Sequence, residues 1–160
     1  MPPWRTAQPV LPVVAPLSAA HAPACAAIHA ASFAHGWSAT DLEGLIADRG
    51  VIADGLFLGD AKRPKGFVLS RAVIDEAEIL TIALDPAVRG RGFSRTLLDR
   101  HLETLRREGV ARLHLEVDEA NRPARRLYDR FGFVQVGRRE GYYRRADGSR
   151  AAALTLSLDL

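Results

Sequence analysis

The sequence holds a single cysteine, Cys25, and only two lysines, Lys62 and Lys65, among its 160 residues. One thiol closes no internal disulfide, and without a second cysteine the ligand spacing of a structural zinc site is missing, so no metal is expected. A reducing compartment is permitted, and the cytoplasm is the expected location. Long hydrophobic runs are absent too, because nothing approaches the roughly 20 consecutive apolar residues of a membrane-spanning helix. The stretch Val10-Leu11-Pro12-Val13-Val14-Ala15 after Arg5 loosely imitates a secretory leader, but Pro9, Pro12 and Pro16 break any apolar helix there. It reads as an edge strand over 10–17 behind a disordered tail, residues 1–9.

Charge of one sign is scarce as well. Lys+Arg 22 against Asp+Glu 19 leaves a net charge of +3, and the arginines lie scattered among acidic neighbours. That pattern is a solvated surface rather than the one-sided stripe of a nucleic-acid binder, so neither nucleic acid nor membrane is an expected partner.

What is present is an ordinary globular composition, 48% hydrophobic and 26% charged. The length fits one domain of about 100–200 residues, here 10–160. No repeat or linker interrupts it, and strands alternate with helices as in an α/β (α+β) domain. Pro23 opens a small-residue helix over 24–33, and Ser38 caps a second helix over 39–48. β-branched and aromatic residues mark strands over 51–58 and 66–73. A mostly apolar strand over 78–84, of the kind covered on both faces, stops at Asp85-Pro86.

Apolar residues then recur at Leu97, Leu98, Leu102 and Leu105, the spacing of a helix with one buried stripe, and Gly109 closes it. A strand over 112–117, a helix over 121–131 ended by Gly132, and strands over 133–136 and 154–158 complete the pattern.

Between the apolar strand and the striped helix lies Arg89-Gly90-Arg91-Gly92-Phe93-Ser94. A helix start leaves backbone N–H groups unpaired, and with the helix dipole these make an anion site that suits phosphate. Gly90 and Gly92 allow close approach, while Arg89, Arg91 and Arg95 add positive charge. The same loop also reads as a plain strand-to-helix turn. A dinucleotide fingerprint, with Glu116 as ribose ligand, is disfavoured because Arg95 stands where the third glycine belongs and no βαβ unit precedes it.

Ile82-Ala83-Leu84-Asp85-Pro86, the loop from Arg89 to Ser94, Leu113-His114-Leu115-Glu116-Val117, Asn121 and Leu127-Tyr128 before Phe131-Gly132-Phe133 together resemble the GNAT acetyltransferase superfamily. They are most similar to its RimI branch, the ribosomal-protein alanine N-acetyltransferases. The likeness runs from about Ser32 to the end and includes Tyr142-Tyr143 and Asp147-Gly148 in a closing hairpin.

The resemblance implies a mixed, mostly antiparallel sheet of about six to seven strands with about four flanking helices, splayed in the middle for acetyl-CoA. It implies that Ile82, Ala83 and Leu84 pair with the pantetheine arm. Arg89, Gly90, Arg91, Gly92, Phe93, Ser94 and Arg95 then meet the pyrophosphate, and Asn121 meets the pantetheine. Glu116 becomes general base and Tyr128 general acid. The acceptor is then a protein N-terminus, possibly a ribosomal one, or a small amine, near Trp37, Tyr142 and Tyr143. A non-catalytic acyl-CoA-binding module is the alternative from another class.

Each residue also has a plain structural reading. Glu116 on an alternating strand can face solvent, and Tyr128 can be a packing aromatic. Two departures stand out: Ser94 replaces the glycine or alanine of most relatives, and Arg150-Ala151-Ala152-Ala153 lacks the acidic residue that close relatives place after Asp-Gly. The second leaves the acceptor open, because added arginines do not favour a basic tail.

Overall fold

The structure is a computed structural model and describes residues 8–160, so most of the expected tail over 1–9 lies outside the described residues. The chain opens with β1 (Pro12–Pro16), then α1 (Ala22–Ser32) and α2 (Ala39–Ala47). β2 (Val51–Leu58), β3 (Gly66–Val73) and β4 (Glu76–Leu84) follow as a meander. α3 (Phe93–Arg107), β5 (Arg112–Asp118), α4 (Arg122–Phe131), β6 (Val134–Arg144) and β7 (Arg150–Asp159) complete it. The strands make one 7-stranded sheet in the order β1-β2-β3-β4-β5-β7-β6.

Local chemistry sets the ends of these elements. Ser38 and Asp41 form a capping box on α2, with Asp41 N–H donating to Ser38 Oγ at 3.1 Å and Ser38 N–H donating to Asp41 Oδ2 at 3.2 Å. Asn121 caps α4 by accepting from Ala124 N–H at 3.2 Å, and Gly132 stops it at φ 87°, where only glycine rests without strain.

Every strand pair is antiparallel except β4 with β5. That parallel pair holds only at Glu76↔Arg112, Ala77↔Leu113 and Glu78↔His114. Beyond Glu78 the strands part, so the inner edges of β4 and β5 carry backbone groups that no strand partner takes. One residue further on, β4 bulges: Leu69 faces Thr81 and Ser70 faces Ile79, leaving Leu80 without an opposite number. Among the described residues, the Thr81 hydroxyl is the buried side-chain polar group with no hydrogen-bond partner.

Two cores hold the sheet. α1 and α2 press Cys25, Ile28 and Leu42 onto Val51, Phe67, Leu69 and Ala83 on one face. On the other, the stripe Leu97, Leu98, Leu102 and Leu105 of α3, with Tyr128 of α4, packs on Leu113, Leu115 and Val117.

Two expectations need correction. β4 starts with an alternating pattern, because Glu76 and Glu78 are exposed below the helices and the strand becomes largely buried only further on. β6 and β7 are far longer than 133–136 and 154–158, at 11 and 10 residues. The extra length of β6 carries arginine, glutamate, glycine and tyrosine and that of β7 three buried alanines, neither an alternating apolar pattern, and backbone pairing holds both.

Cys25 is fully buried under α1, and burial pushes its thiol up to about 12. The reactive species is the thiolate. Native protein is therefore expected to resist a thiol reagent at pH 8 and to react at one equivalent once unfolded in denaturant. Fast labelling of the native protein would show that this core opens.

Candidate active site

The loop between β4 and α3 presents what an anion needs. Gly90 and Gly92 hold φ of 75° and 80°, and a side chain at either would meet nothing within 4 Å, so the space over the loop is open. The first junction N–H to find an acceptor is that of Thr96, on Gly92 O at 3.4 Å. Among the described residues, the N–H groups from Gly90 to Arg95 have no protein acceptor. Six unclaimed N–H groups thus lie at the positive end of the α3 dipole, on an open loop. Phe93 is buried and anchors the helix start, and the Arg91 guanidinium stands over its ring at 5.1 Å. Arg91 and Arg95 are exposed and make no ion pair among the described residues.

Arg89 does something different. Its Nε donates to Leu84 O at 3.2 Å and its Nη2 to Ser32 Oγ at 2.9 Å, so the guanidinium ties the loop to the ends of β4 and α1. Only its backbone stays with the anion loop. Asn121 spends its Oδ1 on the cap of α4 and keeps its amide N–H groups for another partner.

Ile82 is half-buried on the α3 side, Ala83 is buried on the α1 side, and Leu84 is buried on the α3 side. They lie on β4 past the point where β5 departs.

Glu116 lies on β5 two residues past its last pairing with β4. It alternates with the core residues Leu115 and Val117, which points its half-buried carboxylate to the face opposite α3 and α4. Arg139 of β6 approaches it at 3.3 Å. Tyr143, on the same face, feels Glu116: burial first, then that negative charge, raise its phenol above the ordinary value. Tyr143 also touches Tyr142 edge-on, with ring centroids 5.2 Å apart.

Tyr128 is buried, its ring edge-on to Phe133 at 5.4 Å. Burial, and secondarily Tyr143, push its phenol up to about 12. Among the described residues its hydroxyl has no hydrogen-bond partner, and the oxygen keeps a small contact with solvent. Tyr143, beside Tyr142, is thus the residue linked to both Glu116 and Tyr128. Trp37 stands apart on the α1–α2 connection, stacked on His29 at 4.6 Å with its backbone N–H donating to His29 Nδ1 at 3.1 Å. Burial lowers the His29 pKa, which keeps that nitrogen an acceptor.

The arrangement provides a loop of unclaimed N–H groups, two strand edges that part, and a carboxylate on the parted stretch of β5. Unclaimed N–H groups at a helix start suit phosphate, and a free strand edge suits an extended amide arm. Sequence reasoning passed over Arg139, because its approach to Glu116 depends on hairpin register. It also passed over a buried network in which His101 bonds Asp54 and Ser70 at 2.7 Å each. The signal was there, since His101 falls on the apolar stripe of α3.

Known proteins carry the same design. Residues 24–133 match the model of the acetyltransferase (GNAT) family. The [ribosomal protein bS18]-alanine N-acetyltransferases of Haemophilus ducreyi and Escherichia coli K12 are each 37% identical over 94 residues, 59% of this chain. Those matches span 65% and 63% of the two relatives, a little under two thirds of their length.

The crystal structure of the E. coli ribosomal-protein-S18-alanine N-acetyltransferase superposes with a TM-score of 0.85 at 29% identity, covering 93% of this chain and 94% of that one. Arabidopsis thaliana NAA60 in complex with acetyl-CoA shares the fold at a TM-score of 0.82 and 18% identity, over 94% of this chain and 99% of that one. With its splayed β4–β5 pair, its glycine loop at the start of α3 and a family match over most of its length, this chain belongs to the GNAT acetyltransferase family.

Proposed function

We propose that the protein is an acetyl-CoA-dependent N-acetyltransferase that modifies a protein N-terminal α-amine, with the N-terminal alanine of a small-subunit ribosomal protein as leading acceptor. The observation that carries the reading is the parting of β4 from β5 beyond Glu78, with Glu116 on the parted stretch of β5, next to a loop whose N–H groups are unclaimed among the described residues. The relatives' names supply the acceptor. A single buried thiol is at home in the cytoplasm.

Acetyl-CoA, when bound, supplies an acetyl thioester. The N–H groups from Gly90 to Arg95 hold its phosphates, Ile82 to Leu84 align its arm, and the Asn121 amide is free to donate to it. Glu116 takes the proton that the acceptor nitrogen gives up, directly or through one water. An α-amine, with a pKa of about 7.7–8.0, is already partly neutral at pH 7, whereas lysine at about 10.4 is not, so a partly exposed carboxylate suffices for the former. Tyr128 donates its phenolic proton to the departing sulfur, and its raised pKa keeps that proton in place at neutral pH.

A different protein or a small amine is the second reading, and one observation favours it. Arg144 and Arg150 face each other across the hairpin and pair with no carboxylate, a like-charge arrangement ill-suited to a basic tail. The deciding assay measures thiol release from acetyl-CoA with N-terminal peptides and with small amines. The proposal requires Ala-starting peptides to be turned over faster. Equal or faster turnover of small amines would defeat it.

A further inference from the structure

Resting on the assignment of Glu116 as base, we infer that Arg139 is a positioning residue that occupies the Glu116 carboxylate until the amine of the acceptor displaces it. The face of the sheet brings the two together. Glu116 is paired with Thr155 and Arg139 with Ala153, and positions two apart on β7 share a face. The guanidinium Nη2 then lies 3.3 Å from Glu116 Oε1.

Among the described residues Arg139 makes no other ion pair. Asp118 is taken by Arg145 at 3.9 Å, Glu119 by Arg138 at 2.7 Å, and Glu140 also by Arg138. It does have a second resting place, since its guanidinium carbon stands 4.4 Å over the Tyr142 ring. The β6 bulge that sets this up places residues 140–142 opposite Ala152 alone, with Gly141 at φ 62°. A cation held between a carboxylate and an aromatic face can release the first while keeping the second.

Strength decides whether such a contact can work as an exchange. The Arg139 side chain is 58% exposed, and an exposed ion pair biases a population only about twofold to fivefold. An arriving α-ammonium group is itself a cation and competes for Glu116 on those terms. The N-acetylated product is neutral and does not, so Arg139 recovers the carboxylate and the product loses its hold.

The same contact guards the thioester. With Arg139 on Glu116, the base is withheld from a water whose oxygen would bond the acetyl carbon. In that reaction the water proton goes to Glu116, the carbon–sulfur bond breaks, the sulfur takes a proton from Tyr128, and acetate and free thiol result.

Calorimetric titration of an Ala-starting peptide and its N-acetylated counterpart, in saturating free coenzyme A, tests this without turnover. Arg139→Ala is expected to tighten the free-amine peptide about twofold to fivefold and to leave the acetylated peptide unchanged, while Arg139→Lys stays near the parent. Acceptor-independent thiol release from acetyl-CoA rises by the same factor in Arg139→Ala, and a further Glu116→Gln cancels both effects. Arg139→Gln serves as a second neutral variant should alanine disturb the hairpin. Unchanged or weaker binding of the free-amine peptide in the neutral variants overturns the inference. Unchanged peptide turnover in Glu116→Gln alone would instead overturn the assignment of the base.

Discussion

Glu116→Gln is expected to lower kcat for peptide acetylation ~10²-fold or more, with acetyl-CoA binding intact, because general base catalysis contributes about 10²–10⁴. Glutamine keeps the shape of the side chain and its place on β5 but accepts no proton. Tyr128→Phe is expected to act similarly: it removes only a hydroxyl that has no protein partner, so the fold gives up no hydrogen bond. If the two act in one proton relay, the double variant loses much less than the product of the single losses.

The pH dependence follows from Tyr128. Its phenol titrates near about 12, raised first by burial and then by Tyr143, whereas an unfolded tyrosine titrates near about 10. The folded state therefore holds this proton more tightly. Its contribution to stability is complete below about pH 10 and is lost as pH rises toward about 12. Rate profiles measured with peptide acceptor are expected to show no tyrosine-dependent alkaline fall below pH 10. Wild-type turnover in Glu116→Gln, Tyr128→Phe and their double variant would defeat both assigned roles, whereas acetyl-CoA binding without turnover in the parent protein would leave the loop and slot as a binding module.

The largest expected effect on stability comes from a place remote from that chemistry. Asp54 on β2, His101 on α3 and Ser70 on β3 are all buried, and His101 bonds both partners at 2.7 Å. This network pins the helix that begins at the anion loop to the β-meander. Asp54→Ala leaves His101 Nδ1 without its partner inside the core, and breaking a buried pair from one side costs about 3–5 kcal/mol. In a domain of this size the melting temperature is expected to drop by roughly 6–20 °C. His101→Ala is expected to match it, since it strands the carboxylate and the hydroxyl instead. Thermal and urea unfolding measure both. A loss under about 1 kcal/mol in each would mean that the network is relieved by water and is not a structural pin.

How far the sequence shows all this depends on which forces act locally. The anion loop is legible because its parts are contiguous: an apolar strand, two glycines and a striped helix that follow one another directly from Glu78 to Leu105. The two capped helices and the meander follow from spacing and turn chemistry for the same reason. The splay is not legible from periodicity, since strands that part and strands that pair carry the same residues; here the family resemblance supplied it.

The hairpin of β6 and β7 was expected too short because its arms are charged and bulged, so apolar alternation stops while backbone pairing continues. Arg139 follows from that register and has no local signature. Arg89 looked like a phosphate ligand from its place in the loop, but its side chain turns to Leu84 and Ser32, contacts that only the packing of α1 creates. His101 went unnoticed although it is a polar residue on an apolar stripe, and its partners Asp54 and Ser70 sit 47 and 31 positions away.

The most direct test is where the acetyl group lands. A peptide beginning with alanine and carrying one internal lysine, incubated with acetyl-CoA and the protein, is mapped by tandem mass spectrometry. The account predicts acetylation of the α-amine alone, abolished in Glu116→Gln. Acetyl on the lysine, or on neither amine, would contradict it.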